Sequence, residues 1–544
     1  MALHRTGLAA QRSTAAQSAL DAHTALIAAL RAVLGGEARL IETHISSVLL
    51  AGDAAYKLKK PVDLGFLDFT SLAARKRYCE LELALNRRTA PQLYLEVVPI
   101  TGAPTAPRLG GAGAVLDYAV KMRRFDTEDS FDRLLARGAL DASLVDALAD
   151  RIATFHAEID SAPPDSPFGT PDAILADARD NFAHIARLEA PGSSRDALER
   201  LGRWTDAEGE ALRETFAQRR RDGFVRECHG DLHLGNVARI DGAPVPFDCI
   251  EFNADFRWID VMSEIAFTLM DFIDRGAPAL GWRFLNRALE SSGDYAGVAV
   301  LRFYLVYRAM VRAKVALIRA RQAERGSDPR AVSSPLEDFA HHLADAAAFA
   351  APGARALILT GGVSGSGKTT FAQSLLEALG AVRLRSDIER KRLHGLDATA
   401  RSGSAFGAGL YAPRATQATY ARLAELAQAL LPAGFPLIVD ATFLHAADRA
   451  PFVTLAREAR AGYTLLWCDA PIEVLRERVA AREAAGRDAS EATLEVLTRQ
   501  LEALEPPEPD AQTLFCDSTQ DEILAEARAE IARRCGLPAQ RSAG

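Results

Sequence analysis

Apolar residues along the first part of the chain follow a mixed period. From Thr14 to Leu34 an Ala- and Leu-rich stretch reads as a helix. Ile45 to Leu50, a Gly52-Asp53 turn and Ala54 to Lys60 predict a β-hairpin, with Pro61 stopping its second strand. A helix is expected from about Leu72 to Asn86, then strand-like stretches at Leu95 to Ile100 and Val115 to Met122. Helical spacing dominates from there to about Asp345. Leu144, Leu148, Ile152 and Phe155 mark one such face, and strand-like breaks fall near Val237 to Arg239 and Val245 to Phe247.

The pattern changes again past a polar stretch containing Gly326, Ser327, Pro329, Ser333, Ser334 and Pro335, an Ala-rich helix and Pro352-Gly353. From Arg355 onward strands at Ala356 to Thr360, Val382 to Arg385, Leu437 to Val439 and Thr464 to Cys468 alternate with helical stretches. That order predicts a parallel sheet with crossover helices. A chain of 544 residues exceeds one ordinary core. The boundaries expected are a first domain over 1–345, a linker over 346–354 and a second domain over 355–538.

Composition narrows the class. With 49% apolar and 25% charged residues the chain has the balance of a globular protein. A formal charge of −8 argues against a strongly basic nucleic-acid coat. The six cysteines, Cys79, Cys228, Cys249, Cys468, Cys516 and Cys535, show no close pairing, so neither a zinc knuckle nor a disulfide framework is expected and a reducing cytoplasm fits. The start of the chain, with His4, Arg5, Arg12 and Asp21, lacks a signal-like apolar core, and no later segment offers a membrane span.

The strand Ala356 to Thr360 feeds Gly362-Val363-Ser364-Gly365-Ser366-Gly367-Lys368-Thr369 directly into a helix near Thr370. Gly362, Gly365 and Gly367 let backbone N–H groups turn toward phosphate oxygens. Lys368 reaches the terminal phosphates, and Thr369, with Thr370 behind it, opens the helix and ligates magnesium. Asp440 ends a second buried strand, where a carboxylate either helps hold the magnesium shell or caps the next helix. Asp387 and Arg390 follow Val382 to Arg385. There Asp387 either accepts a proton from an acceptor hydroxyl or caps a helix. Arg476, Arg478, Arg482 and Arg487 surround a break at Gly486, with Asp488, Ser490 and Glu491 beyond it, and read as a lid or as a solvated helix face. Arg478 and Arg482 share one face at i, i+4. The Asp387-x-x-Arg390 spacing resembles the polynucleotide-kinase and zeta-toxin group of P-loop kinases, which implies a base at Asp387 and an acceptor-binding role for Arg390.

Upstream, His229-Gly230-Asp231-Leu232-His233-Leu234-Gly235-Asn236 is followed by Val245-Pro246-Phe247-Asp248. This resembles the aminoglycoside-phosphotransferase-like kinase family. The resemblance implies a catalytic base at Asp231 and magnesium ligands at Asn236 and Asp248, oxygen donors suited to a hard cation. A small-lobe lysine for the nucleotide phosphates is expected at Lys59, with Lys57 next to it on the same strand face. Glu82, or else Glu80, would hold it. Asp260 is expected as a scaffold residue, Tyr118 to Phe125 as the interlobe strand, and His156 as a packed core histidine. Asp271 and Asp274 read as ordinary exposed acids.

The fold class expected is therefore α+β followed by α/β: an N-terminal two-lobed protein-kinase-like domain and a C-terminal P-loop domain with a parallel sheet and flanking helices. Their order resembles that of bifunctional phosphotransferase and ATP-binding proteins. It implies ATP and Mg2+ as cofactors and a small-molecule hydroxyl as acceptor. A nucleic-acid 5′-hydroxyl kinase and a regulatory nucleotide-binding protein with one inactive module stand as alternatives. Oligomeric state is not legible.

Overall fold

The computed structural model describes residues 2–35, 37–43, 45–65, 67–324, 330–397, 400, 410, 412–485, 492–520 and 522–537. Compactness divides the chain into Met1–Ala147 with Glu158–Phe168 and Val225–Glu264, and Leu148–Ala157 with Gly169–Phe224 and Ile265–Gly544. This grouping departs from simple chain order, because most of the helical middle of the chain joins the P-loop sheet rather than the strands before it. The helix Arg330–Ala350 enters the expected linker, and only residues 351–355 separate it from the first strand of that sheet.

The first unit is built on a six-stranded sheet of β1 (Arg39–Glu42), β2 (Ser46–Ala51), β3 (Ala54–Lys59), β4 (Tyr94–Ala103), β5 (Ala106–Leu109) and β6 (Val115–Arg123). Its order is β1-β2-β3-β6-β4-β5, and every pairing is antiparallel. The hairpin closes at the expected turn, with Ala51 opposite Ala54 and Ser46 opposite Lys59. Alternation along β3 then sorts its side chains. Leu58 clusters with Leu26, Ile27 and Leu30 of the opening helix Ala2–Val33, while Lys57 and Lys59 point to the other face.

That other face is covered by the helix Leu72–Asn86. Ser71 caps it, the hydroxyl accepting from the Ala74 N–H at 3.1 Å. Arg75, Cys79, Glu82 and Asn86 recur at helical spacing on the buried side. All but Cys79 are polar, so the helix brings ion-pairing groups onto the sheet: Arg75 meets Asp117 of β6 at 2.9 Å. The unit is completed by β7 (Val225–Glu227), β8 (Val237–Ile240), β9 (Ala243–Pro246) and β10 (Trp258–Asp260), with β7 paired to β10 and β8 to β9.

In the second unit, β11 (Ala356–Gly361), β12 (Val382–Arg385), β13 (Leu437–Asp440), β14 (Gly462–Asp469) and β15 (Thr513–Asp517) form a parallel five-stranded sheet ordered β12-β13-β11-β14-β15. Every residue of β11 is buried, as a central strand of a covered parallel sheet requires. The register sets Thr360 and Arg385 on either side of Asp440. The loops leaving β11, β12 and β13 therefore open at one carboxyl edge, the edge where such sheets bind ligands.

β12 lies at the rim of this sheet, and the helix Pro278–Ser292 closes it. Asn286 uses both ends of its amide: Oδ1 accepts from the Arg383 N–H at 2.7 Å and Nδ2 donates to the Ala381 carbonyl at 2.8 Å. Arg383 adds bonds from Nε and Nη2 to Glu290 Oε1 at 3.1 and 2.7 Å. Glu290 is 2% and Arg383 5% exposed. Glu290→Gln leaves that guanidinium buried without its counter-charge, and urea unfolding is expected to show a loss of about 3–5 kcal/mol. A loss below about 1 kcal/mol would show that the pair does not brace the strand.

Among the described residues no helix is long and apolar enough to cross a membrane.

Candidate active sites

In the first unit two lysines converge on one buried glutamate. Lys57 Nζ lies 2.8 Å from Glu82 Oε1, and Lys59 Nζ lies 2.7 Å from Glu82 Oε2. Lys59 also pairs with Glu251, and Lys57 with Asp248. Their surroundings separate them. The Lys59 side chain is 1% exposed, between Glu82 at 0% and Glu251 at 4%, with Phe69 beneath it; Lys57, at 12%, reaches the open side, where Asp248 is 43% exposed. Lys57, not Lys59, therefore touches the aspartate that motif spacing singles out. Glu80 points outward toward Lys76, so Glu82 is the partner from this helix.

Charge balance follows from these contacts. Burial alone would raise the Glu82 carboxyl, but the ammonium groups of Lys57 and Lys59 outweigh it and hold it at about 2. Burial disfavours the Lys59 ammonium, yet Glu251 and Glu82 together keep it above the usual lysine range. Desolvation also disfavours the Lys57 ammonium, and Asp248 and Glu82 hold it above the usual lysine range. Burial pushes the Glu251 carboxyl up against the pull of Lys59.

Asp231, Asn236 and Asp248 come together through the β8–β9 hairpin. Asn236 Nδ2 donates to the Asp231 carbonyl at 2.9 Å and to Oδ2 at 3.0 Å, and the Phe247 N–H donates to the Asn236 carbonyl at 2.9 Å. That fixes the Asn236 amide with Oδ1 turned from Asp231. Asp248 adopts φ +65°, an uncommon conformation for a residue with a side chain, and its N–H donates to the Tyr94 hydroxyl at 3.1 Å. Gly230 holds φ +87°, and a Cβ there would lie 2.6 Å from the Phe256 carbonyl oxygen. Its N–H donates to Glu264 Oε1 at 2.6 Å. Burial lowers the His229 pKa, and the neutral ring meets the Phe247 carbonyl through Nε2 at 2.8 Å. Asp260 is buried and accepts from the Met262 N–H at 2.8 Å, which ties down the start of the next helix. His156 is buried as expected.

The second unit builds its own site at the carboxyl edge of the sheet. Gly362 has φ +129°, and a Cβ would fall 2.2 Å from the Cys468 carbonyl oxygen. Gly365 and Gly367 also take positive φ before the helix Lys368–Leu379 begins. Lys368 Nζ curls back to the Val363 carbonyl at 3.4 Å, and Asp440 Oδ1 accepts from Thr360 Oγ1 at 3.0 Å. Lys368, Thr369, Asp440, Asp387 and Arg390 all line one cavity of about 720 Å³. Asp387 and Arg390 lie 3.6 Å apart within the helix Ser386–Leu393. Thr370 is exposed.

The capping alternatives fail on position. Arg385 occupies the N-cap before Asp387, and His445, not Asp440, precedes the helix Ala446–Glu458. Arg478 grips the loop itself, with Nη1 on the Gly365 carbonyl at 3.2 Å and on Ser518 Oγ at 2.7 Å. Arg482 sits one turn on in the helix Ile472–Ala485, with Nη2 buried and no hydrogen bond to it. Gly486, Arg487, Asp488, Ser490 and Glu491 lie outside the described residues.

Pattern reading missed Glu251, Tyr94 and Gln500, the last of which accepts from the Ser364 N–H at 2.8 Å. None stands in a spacing that marks it; only Glu251, three residues after Asp248, lies near a motif.

An AAA-domain family model matches residues 357–507. The uncharacterized protein Rv2004c of Mycobacterium tuberculosis is 30% identical over 449 residues, 82% of this chain and 87% of that protein. Among solved structures, a gluconokinase from Sinorhizobium meliloti is 24% identical, covering 34% of this chain and 95% of its own, with a TM-score of 0.25. The GDP complex of aminoglycoside 2′-phosphotransferase-IIIa is 14% identical, covering 57% of this chain and 93% of its own, with a TM-score of 0.34.

Proposed function

The chain belongs to the family of the Mycobacterium tuberculosis protein Rv2004c, and we propose that it is an ATP- and Mg2+-dependent phosphotransferase with two nucleotide sites, each passing a phosphoryl group to a hydroxyl of a small molecule. In chain order the modules are the kinase-like 1–345 and the P-loop 355–538. What carries the reading is the line of contacts from Glu82 through Lys57 to Asp248 beside the bonded pair Asp231 and Asn236.

At the first site Lys57 is the phosphate-facing lysine and Glu82 its anchor, with Lys59 and Glu251 fixing Glu82 from behind. Asp231 takes the acceptor hydroxyl's proton. Asn236 Oδ1 and the half-exposed Asp248 suit a hard cation, and Mg2+ bound there would offset charge on the phosphates. At the second site the glycine loop and Lys368 hold phosphates, and Thr369 and Asp440 hold Mg2+. Asp387 serves as base and Arg390 grips the acceptor, while Arg478 and Arg482 offset charge during transfer. The cavity there, about 720 Å³, falls within the size range of small-molecule sites.

The test is ATP turnover by the full chain with sugars, aminoglycosides, nucleosides and oligonucleotides as acceptors. Lys368→Ala is expected to cut nucleotide binding from two sites to one by calorimetry, leaving turnover at the first site. Unchanged stoichiometry would remove the second site, and turnover only with oligonucleotides would replace the acceptor class.

A further inference from the structure

We propose that the end of the helix Val261–Asp274 and the helix Arg330–Ala350 together hold a zinc-type divalent ion, through Asp274, His341 and Asp345 with His342 beside them. In sequence Asp274 reads as an ordinary exposed acid. Folding leaves its side chain only 11% exposed, against Asp345 at 18% and His342 at 8%. One atom each of Asp274, His341 and Asp345 falls within 4.8 Å of the others. His341 Nε2 lies 3.5 Å from Asp274 Oδ1 and 3.7 Å from Asp345 Oδ2. Two ligands bound at about 2.1 Å to a tetrahedral ion stand roughly 3.4 Å apart. The pairs on His341 thus already have close to the spacing of ligands around one ion.

A second observation points the same way. The His342 side chain is buried, and its Nδ1 pairs with Asp274 Oδ1 at 2.6 Å, so a second imidazole meets the same carboxylate. Asp274 Oδ1 and Asp345 Oδ2 are buried together beside the two imidazoles. Two carboxylates held this close repel one another, so their convergence needs a positive charge among them. A cation supplies one, since it draws the lone pairs inward together. His341 Nε2 also lies 3.2 Å from the Asp274 carbonyl; binding an ion through Nε2 requires the Nδ1–H tautomer and gives up that bond. Mixed imidazole and carboxylate donors select zinc-type ions over Mg2+ or Ca2+, which take oxygen ligands. His341 and Asp345, one turn apart, present their donors from one helix face. The ion would pin the two helices to each other.

The full chain, stripped by chelator, loaded with Zn2+ and freed of excess by gel filtration, is expected to retain about one Zn2+ per chain by mass spectrometry. His341→Ala, a change at a side chain 56% exposed, and the isosteric Asp345→Asn are each expected to abolish retention. Asp248→Asn/Asp440→Asn is expected to keep it. Co2+ loading adds a spectroscopic readout, with tetrahedral visible absorption in the parent chain and none in His341→Ala. Absence of retained Zn2+ in the parent chain overturns the proposal, and so does retention unchanged in both His341→Ala and Asp345→Asn.

Discussion

Asp231→Asn is expected to lower kcat at the first site by about 10²–10⁴-fold while nucleotide affinity stays within about twofold. The substitution keeps the shape of the side chain and removes its basicity. Asn236 Nδ2 donates to Asp231 Oδ2 at 3.0 Å, and an asparagine carbonyl oxygen can accept the same bond. Gly230, pinned by Glu264, holds the preceding backbone in place. If Asp231 is the base, what is lost is the acceptor for the hydroxyl proton, an effect on the transition state rather than on ground-state binding. The measurement uses an Asp387→Asn background, so that turnover at the P-loop does not mask the change, and reads kcat and nucleotide Kd separately. Unchanged kcat in the double variant would remove Asp231 from catalysis. A parallel rise in Kd would recast it as a binding group.

Much of this arrangement is legible in sequence where a local rule is strong. The helix Leu72–Asn86 is expected at its observed bounds because its apolar and polar residues keep a helical period behind Ser71, a good cap. The hairpin around Gly52-Asp53 follows from turn chemistry, and the central strands of the parallel sheet from short apolar runs. The misses have long-range causes. β15 is a rim strand with only two buried positions and carries no continuous apolar run. Glu251 acquires its meaning from Lys59, 192 residues away, and no local spacing announces such a pair. Alternation puts Lys57 and Lys59 on one face of β3 but is blind to which of them another element will cover. The burial of Asp274 depends on a helix some sixty residues later in the chain. Motif spacing brings residue types into view; which of them stay open to a ligand is decided by packing.

The two lysines make that distinction measurable. Lys59→Met is expected to destabilise the chain by about 3–5 kcal/mol, because Glu251, 4% exposed, loses its lysine and remains a buried carboxylate without a counter-charge. Lys59→Met/Glu251→Gln is expected to regain most of that loss, since removing both charges removes the cost of burying one alone. Lys57→Met behaves differently. Glu82 keeps Lys59 at 2.7 Å, and Asp248, 43% exposed, is solvated once its lysine is gone, so the expected stability loss is about 1 kcal/mol or less. Its effect falls on chemistry: if Lys57 faces the phosphates, kcat/KM for ATP at the first site drops by about 10²–10³-fold. Urea unfolding and turnover on the same preparations separate the two roles. The assignment is lost if Lys57→Met unfolds as readily as Lys59→Met, or if Lys59→Met keeps full stability and loses turnover. The first outcome would make Lys57 part of the anchor, and the second would make the buried triad of Lys59, Glu82 and Glu251 part of the phosphate site.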